Sequence, residues 1–164
     1  MLNPSMAERI AFGRPVEETE DDVEMHLAPR PSTALIGRIL LGAIFLLSGI
    51  MKLISVETTA AYMSSKGIPA ATALATIAGI AEVAGGFAVI AGLLTRIGAI
   101  GLILYLIPTT LIFHDFWNLA GAEQQMQMSQ FLKNLAIMGG LFLLIAHGPG
   151  RYSLDARLRG PAPV

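Results

Sequence analysis

Residues 70–94 read AATALATIAGIAEVAGGFAVIAGLL, an apolar run interrupted by one carboxylate, Glu82. At ~1.5 Å rise per residue, about 20 apolar residues cross the hydrocarbon of a bilayer, so a helix here spans the membrane with Glu82 near its middle. A charge at that depth costs at least ~2.5–3.5 kcal/mol on insertion scales, which confines it to the bundle interior and requires a partner or a proton. Ala75, Gly79, Glu82 and Gly86 recur at spacings of four, three and four, so small residues share a stripe with the acid and let a neighbouring helix approach closely. The acid is predicted to point at protein and away from lipid.

Composition supports a membrane protein of one domain. Of 164 residues, 54% are hydrophobic and only 14% charged, against about 25% charged in soluble domains. A net charge of −1 argues against nucleic acid as a partner. The absence of cysteine excludes disulfides, thiol catalysis, iron–sulfur clusters and cysteine-ligated zinc within the chain.

Residues 1–34 hold an acidic cluster at 17–24 and the pair Pro29, Pro31 with little apolar periodicity, which predicts a mobile tail. Four spans are predicted, at about 35–54, 70–94, 97–113 and 131–147. The organisation expected is an acidic tail over 1–34, an all-α antiparallel four-helix transmembrane bundle over 35–155, and a short cytoplasmic tail over 156–164. The stretch before the first span is polar, so that span reads as an uncleaved signal anchor. An even number of spans puts both termini on one side, together with a two-residue corner at Thr95-Arg96. That side collects Arg30, Arg38, Arg96, Arg151, Arg157 and Arg159, and the other has Lys52, Lys66 and Lys133, so the positive-inside rule places both termini in the cytoplasm.

The loop 55–69 is predicted to hold a short interfacial helix capped by Ser55 and stopped at Lys66-Gly67. The loop 114–130 opens on His114-Asp115-Phe116-Trp117, with the Trp at headgroup depth, and its glutamine-rich part extends the fourth helix beyond the membrane. Pro108 is predicted to bend the third span.

Read by depth, the outer ends bring Lys52, His114, Asp115, Lys133 and Asn134 together, with Tyr105 and Ser48 closer to the level of Glu82. This describes a polar funnel that could orient a quinone headgroup and relay its protons, or pass a proton or a small solute. Glu82, Lys52 and His114 are the candidate catalytic residues, and Lys133, Asn134 and Tyr105 the candidate cofactor-binding ones. The plainer alternative has the lysines snorkelling to the interface, His114-Asp115 as a solvated helix end, and Glu82 as a neutral carboxyl bonded to Ser48 or Tyr105 as packing glue. No metal site is predicted. His114 and His147 fall on opposite faces, which excludes bis-histidine haem within a monomer, and His147 suits a helix terminus. Gly85-Gly86 and Gly139-Gly140 read as points of close helix contact and not as phosphate loops, because neither follows a strand.

Several short motifs, in order and spacing, resemble the DoxX family of small four-helix membrane proteins. They are Arg38-Ile39-Leu40-Leu41-Gly42 with Gly49-Ile50-Met51-Lys52, Glu82-Val83-Ala84-Gly85-Gly86 with Gly92-Leu93-Leu94-Thr95-Arg96, Lys133-Asn134-Leu135 with Gly139-Gly140, and the ending 148–155, GPGRYSLD. The resemblance covers about 35–155 and leaves the acidic tail outside it. It implies a bacterial inner-membrane protein. The family takes its name from a subunit linked to quinone-coupled oxidation of sulfur compounds, and some members are associated with oxidative-stress complexes containing superoxide dismutase and a sulfurtransferase.

The expected function is therefore an accessory subunit of a quinone-linked redox or oxidative-stress system, with a quinone as the candidate cofactor. The expected partners are the bilayer, a soluble redox protein or a second copy of the chain. Two alternatives stand beside it: a non-enzymatic anchor recruiting a soluble partner through the acidic tail and the arginine-rich C-terminus, and a small proton-coupled transporter. The transporter reading lacks a second intramembrane acid and an inverted repeat.

Overall fold

The computed structural model describes residues 31–159; the acidic cluster, His26 and Arg30 lie outside the described residues. The described chain is helical throughout, with helices α1 (Pro31–Ile54), α2 (Val56–Ser65), α3 (Ala71–Ala91), α4 (Thr95–Phe113), α5 (Gly121–His147) and α6 (Leu154–Arg159), and a 3-10 turn at Phe116–Asn118 before α5. Four of these helices, α1, α3, α4 and α5, are long and apolar enough to cross a membrane. At ~1.5 Å per residue the 21 residues of α3 extend ~32 Å, close to the ~30 Å of a bilayer's hydrocarbon. At most 33% of any spanning window is buried within the protein. The rest is apolar surface such as Leu40, Leu47, Met51 and Leu104, all more than half exposed, and lipid is the medium that such a surface fits.

The tightest contact in the bundle joins α1 to α3 and explains the small-residue stripe. A Cβ added at Gly49 would lie 2.7 Å from Gly79 O and 2.8 Å from Val83 N, and one at Gly86 would lie 2.7 Å from Leu46 N. Backbone therefore meets backbone, at a distance only glycine permits. The small residues predicted to face protein do so: Ala75, Gly79, Glu82 and Gly86 are all buried. Beside this seam Phe45, Val89, Ala99, Leu102, Ile103, Leu106 and Leu141 form the main apolar core, drawn from all four spans.

Four boundaries differ from expectation. Helix α1 begins at Pro31, where the first turn needs no backbone N–H. Helix α5 begins at Gly121, so the glutamine-rich segment joins the fourth helix as predicted but from further back. Ser55 makes no side-chain cap to α2; its N–H donates to Met51 O and its carbonyl accepts from Thr59, which carries the α1 path almost directly into α2. The α3–α4 corner lies at Gly92–Leu94 and not at Thr95-Arg96. Gly92 (φ 69°) and Leu94 (φ 47°) both adopt left-handed backbone, which stops α3 and lets α4 start at Thr95.

That corner is held by the C-terminal segment. The Asp155 carboxylate accepts from Leu94 N at 2.8 Å, Thr95 N at 3.0 Å and Thr95 Oγ1 at 2.8 Å, while Asp155 N–H donates to Gly92 O at 2.7 Å. It caps α4 in the manner of an N-cap residue supplied from a distant part of the chain. Arg38, buried in α1 at the same end, donates through Nη2 to Tyr152 O. Gly85 and Gly86 sit at contacts as predicted, and Gly140 meets Leu41, but Gly139 faces open space.

Candidate functional site

The α1–α3 glycine contact fixes where the polar groups meet. Ser48 and Lys52 stand one turn apart on α1, and Glu82 stands opposite them on α3, one turn from Gly79 and one from Gly86. Lys52 Nζ lies 2.8 Å from Glu82 Oε2, 3.0 Å from Oε1 and 2.7 Å from Ser48 Oγ. The Ser48 hydroxyl donates to Glu82 Oε1 at 3.3 Å. Glu82 is 4% exposed, so its charge is compensated by an ammonium and a hydroxyl and not by water. The Tyr105 side chain, from α4, reaches the same carboxylate.

The pair forms one wall of a cavity of about 340 Å³, which lies within the ~300–1,000 Å³ range of small-molecule sites. Of the eight residues singled out by depth, all but Asp115 line it: Ser48, Lys52, Glu82 and Tyr105, and with them His114, Lys133 and Asn134. The latter three have partners of their own. His114 Nδ1 lies 2.8 Å from Gln127 Oε1, Lys133 Nζ donates to Gln130 Oε1, and Asn134 Nδ2 donates to Thr110 Oγ1 at 3.0 Å in a buried bond that joins α5 to α4. Apolar walls are supplied by Ile44, Phe45, Leu106 and Ile137. Such a site offers a neutral polar group both a donor, the ammonium, and an acceptor, the carboxylate, on an otherwise apolar surface.

One side of the cavity was not anticipated. Thr59, Tyr62 and Met63 of α2 line it, and Ala60 packs on Ala71 and Ala75 of α3. Tyr62 stacks at a tilt on Phe113 with ring centroids 5.5 Å apart, and Lys66 Nζ bonds Asp115 Oδ1 at 2.9 Å. Asp115 is thus engaged with α2's end and does not line the cavity. The signal in the sequence was the i, i+3, i+4 placement of Thr59, Tyr62 and Met63 on one face of a short helix. Beyond Tyr105, a second groove of about 430 Å³ between α3 and α4 is lined almost wholly by small and apolar side chains.

Against known proteins, the DoxX family model matches residues 33–115. The chain is 37% identical over 130 residues to the inner membrane protein YphA of Escherichia coli, covering 79% of this chain and 93% of that one. It is 35% identical over 124 residues to the inner membrane protein YqjF of the same organism, covering 76% and 90%. An uncharacterized membrane protein of Mycobacterium tuberculosis is 32% identical over 148 residues, covering 82% and 85%. No solved structure matches the chain.

Proposed function

The chain belongs to the DoxX family of multi-pass inner membrane proteins, and from that premise we propose that it is an accessory subunit of a quinone-linked redox system, with a quinone headgroup held against Lys52 and Glu82. The observation that carries this reading is the ion pair itself, set in the wall of a largely apolar cavity within the spanning part of the bundle. A structural ion pair needs no cavity beside it, and here the cavity lies on the pair.

The donor set suits the headgroup. Lys52 can donate to a carbonyl oxygen, Glu82 can accept from a phenolic hydroxyl, and the Tyr105 hydroxyl can do either. When bound, a quinone supplies two-electron, two-proton chemistry at its ring oxygens. The protein's part is to orient those oxygens and hold a proton at Glu82, with Ser48 fixing the carboxylate. His114, which also lines the cavity, is the residue through which a proton would pass to the aqueous face. The lysine-bearing end of the bundle then faces outward and the arginine-bearing end, with both termini, faces the cytoplasm.

The test is equilibrium binding of a short-chain benzoquinone to the purified protein in lipid nanodiscs, for the native chain and for Glu82→Gln and Lys52→Gln. Loss of ~10-fold or more in affinity for each variant, corresponding to the ~1.4 kcal/mol of one charge-assisted hydrogen bond, supports the reading. Unchanged affinity in both variants, or no binding by the native chain, overturns it.

A further inference from the structure

We propose that the cavity takes its ligand sideways out of the hydrocarbon, through the seam between α1 and α5, and that its ligand is consequently a membrane-dissolved amphiphile and not a water-borne solute. The inference rests on the cavity being the functional site, as read above.

The aqueous approach is partly covered by α2, whose Tyr62 and Met63 line the cavity, and this cover is fastened on two sides. Ala60 is packed against α3, while the Tyr62–Phe113 ring contact and the Lys66–Asp115 ion pair join α2 to the end of α4. The side wall differs. Of the contacts between consecutive walls of the bundle, the one between α1 and α5 is the thinnest. These helices meet near the α6 end, where a Cβ added at Gly140 would lie 3.3 Å from Leu41 Cδ1. One turn further on, Ile44 of α1 and Ile137 of α5 both line the cavity, and Ile44 is 38% exposed. Among the described residues no hydrogen bond joins α1 to α5, although α1 is bonded to α3 and α4 is bonded to α5. The doorway is thus a pair of isoleucines at hydrocarbon depth, leading directly to the Lys52–Glu82 pair. An apolar chain passes such a doorway at no desolvation cost, whereas a charged or strongly hydrated solute does not.

The chain has no cysteine, so Ser48→Cys introduces a single thiol inside the cavity. Its labelling in nanodiscs by a maleimide bearing a hydrocarbon chain is compared with labelling by a maleimide bearing a sulfonate, each normalised to Glu123→Cys on the exposed part of α5. The sulfonate reagent is expected to be slower by on the order of a hundredfold, the factor by which insertion scales disfavour a charge in hydrocarbon. Adding Ile44→Trp should slow the hydrocarbon reagent roughly tenfold by filling the doorway, and adding Tyr62→Ala should admit the sulfonate reagent. Thr109→Cys, a second cavity position, repeats the measurement should Ser48→Cys fail to fold. Equal rates for the two reagents, or no effect of Ile44→Trp, overturn the sideways route. The assay uses no quinone, so a failure of quinone binding and a failure of the route are read separately.

Discussion

Lys52 Nζ bridges from α1 to both carboxylate oxygens of Glu82 on α3, at 2.8 and 3.0 Å, with side-chain exposures of 24% and 5%. The relationship is unequal: the lysine retains an edge toward the cavity and the glutamate does not. Removing the lysine therefore strands a buried carboxylate, while removing the carboxylate leaves an ammonium that can still find polar company.

Lys52→Met is expected to destabilise the bundle by ~3 kcal/mol, towards the lower end of the cost of breaking a buried pair because Lys52 is partly exposed. Glu82→Gln should cost less, and the double variant Lys52→Met/Glu82→Gln should recover much of the loss. Thermal unfolding of the four proteins in one detergent measures this. A double variant less stable than Lys52→Met by the full cost of Glu82→Gln would show that the two side chains act independently.

The α1–α3 seam should tolerate no side chain. Gly86→Val places methyl groups where Leu46 N and Gly42 O already lie within 2.8 Å of the Cβ position. An expected loss of ~3 kcal/mol follows from forcing the backbones apart. Because Gly86 lies one turn from Glu82, the separation also lengthens the Lys52–Glu82 contact. Quinone affinity should therefore fall along with the melting temperature. Gly139→Val, where a Cβ meets nothing within 4 Å, is the matched control and should leave both unchanged.

How much of this could be read from residues alone follows the physics of each contact. Glu82 was conspicuous because a charge in an apolar run has few places to go, and depth gathered seven residues of the cavity lining but wrongly added Asp115, which bonds Lys66 instead. The partner of Glu82 was not fixed by depth: whether Lys52 reaches depends on how closely α1 approaches α3, which the Gly49–Gly79 backbone contact decides. The cover escaped because α2 is short and its amphipathic face carries Thr59 and Tyr62 in place of a strong apolar stripe. The α3–α4 corner was misplaced for a different reason. Its geometry is set by Gly92 locally and by Asp155, some sixty residues later, and a cap from that distance leaves no local pattern.

Asp155 supplies three hydrogen bonds to the start of α4. Asp155→Ala is expected to lower stability by ~2 kcal/mol, the upper end for losing an N-cap, since two backbone N–H groups and a hydroxyl lose their acceptor together. Asp155→Asn retains an acceptor oxygen and should recover about half of the loss. Thermal unfolding decides between these values. An alanine variant as stable as the native chain would mean that water replaces the cap without cost.

The Lys66–Asp115 pair holds the α2 cover and carries a pH signature. The hydrogen bond to Asp115 raises Lys66 above its ordinary value of 10.5. A lysine whose folded value lies above its unfolded one contributes stability that is fully present below the unfolded value and is lost as pH rises through the folded one. The melting-temperature difference between the native chain and Lys66→Met should therefore be constant from neutral pH up to about 10 and vanish above it, as the ammonium loses its proton in both states. The contribution is small, because both groups face solvent, and salt should reduce it further. Emission from Trp117, the single tryptophan, 6.0 Å from the Phe131 ring and two residues from Asp115, reports on this part of the molecule directly. A difference that disappeared well below pH 10 instead would rule out loss of the Lys66 proton as its cause.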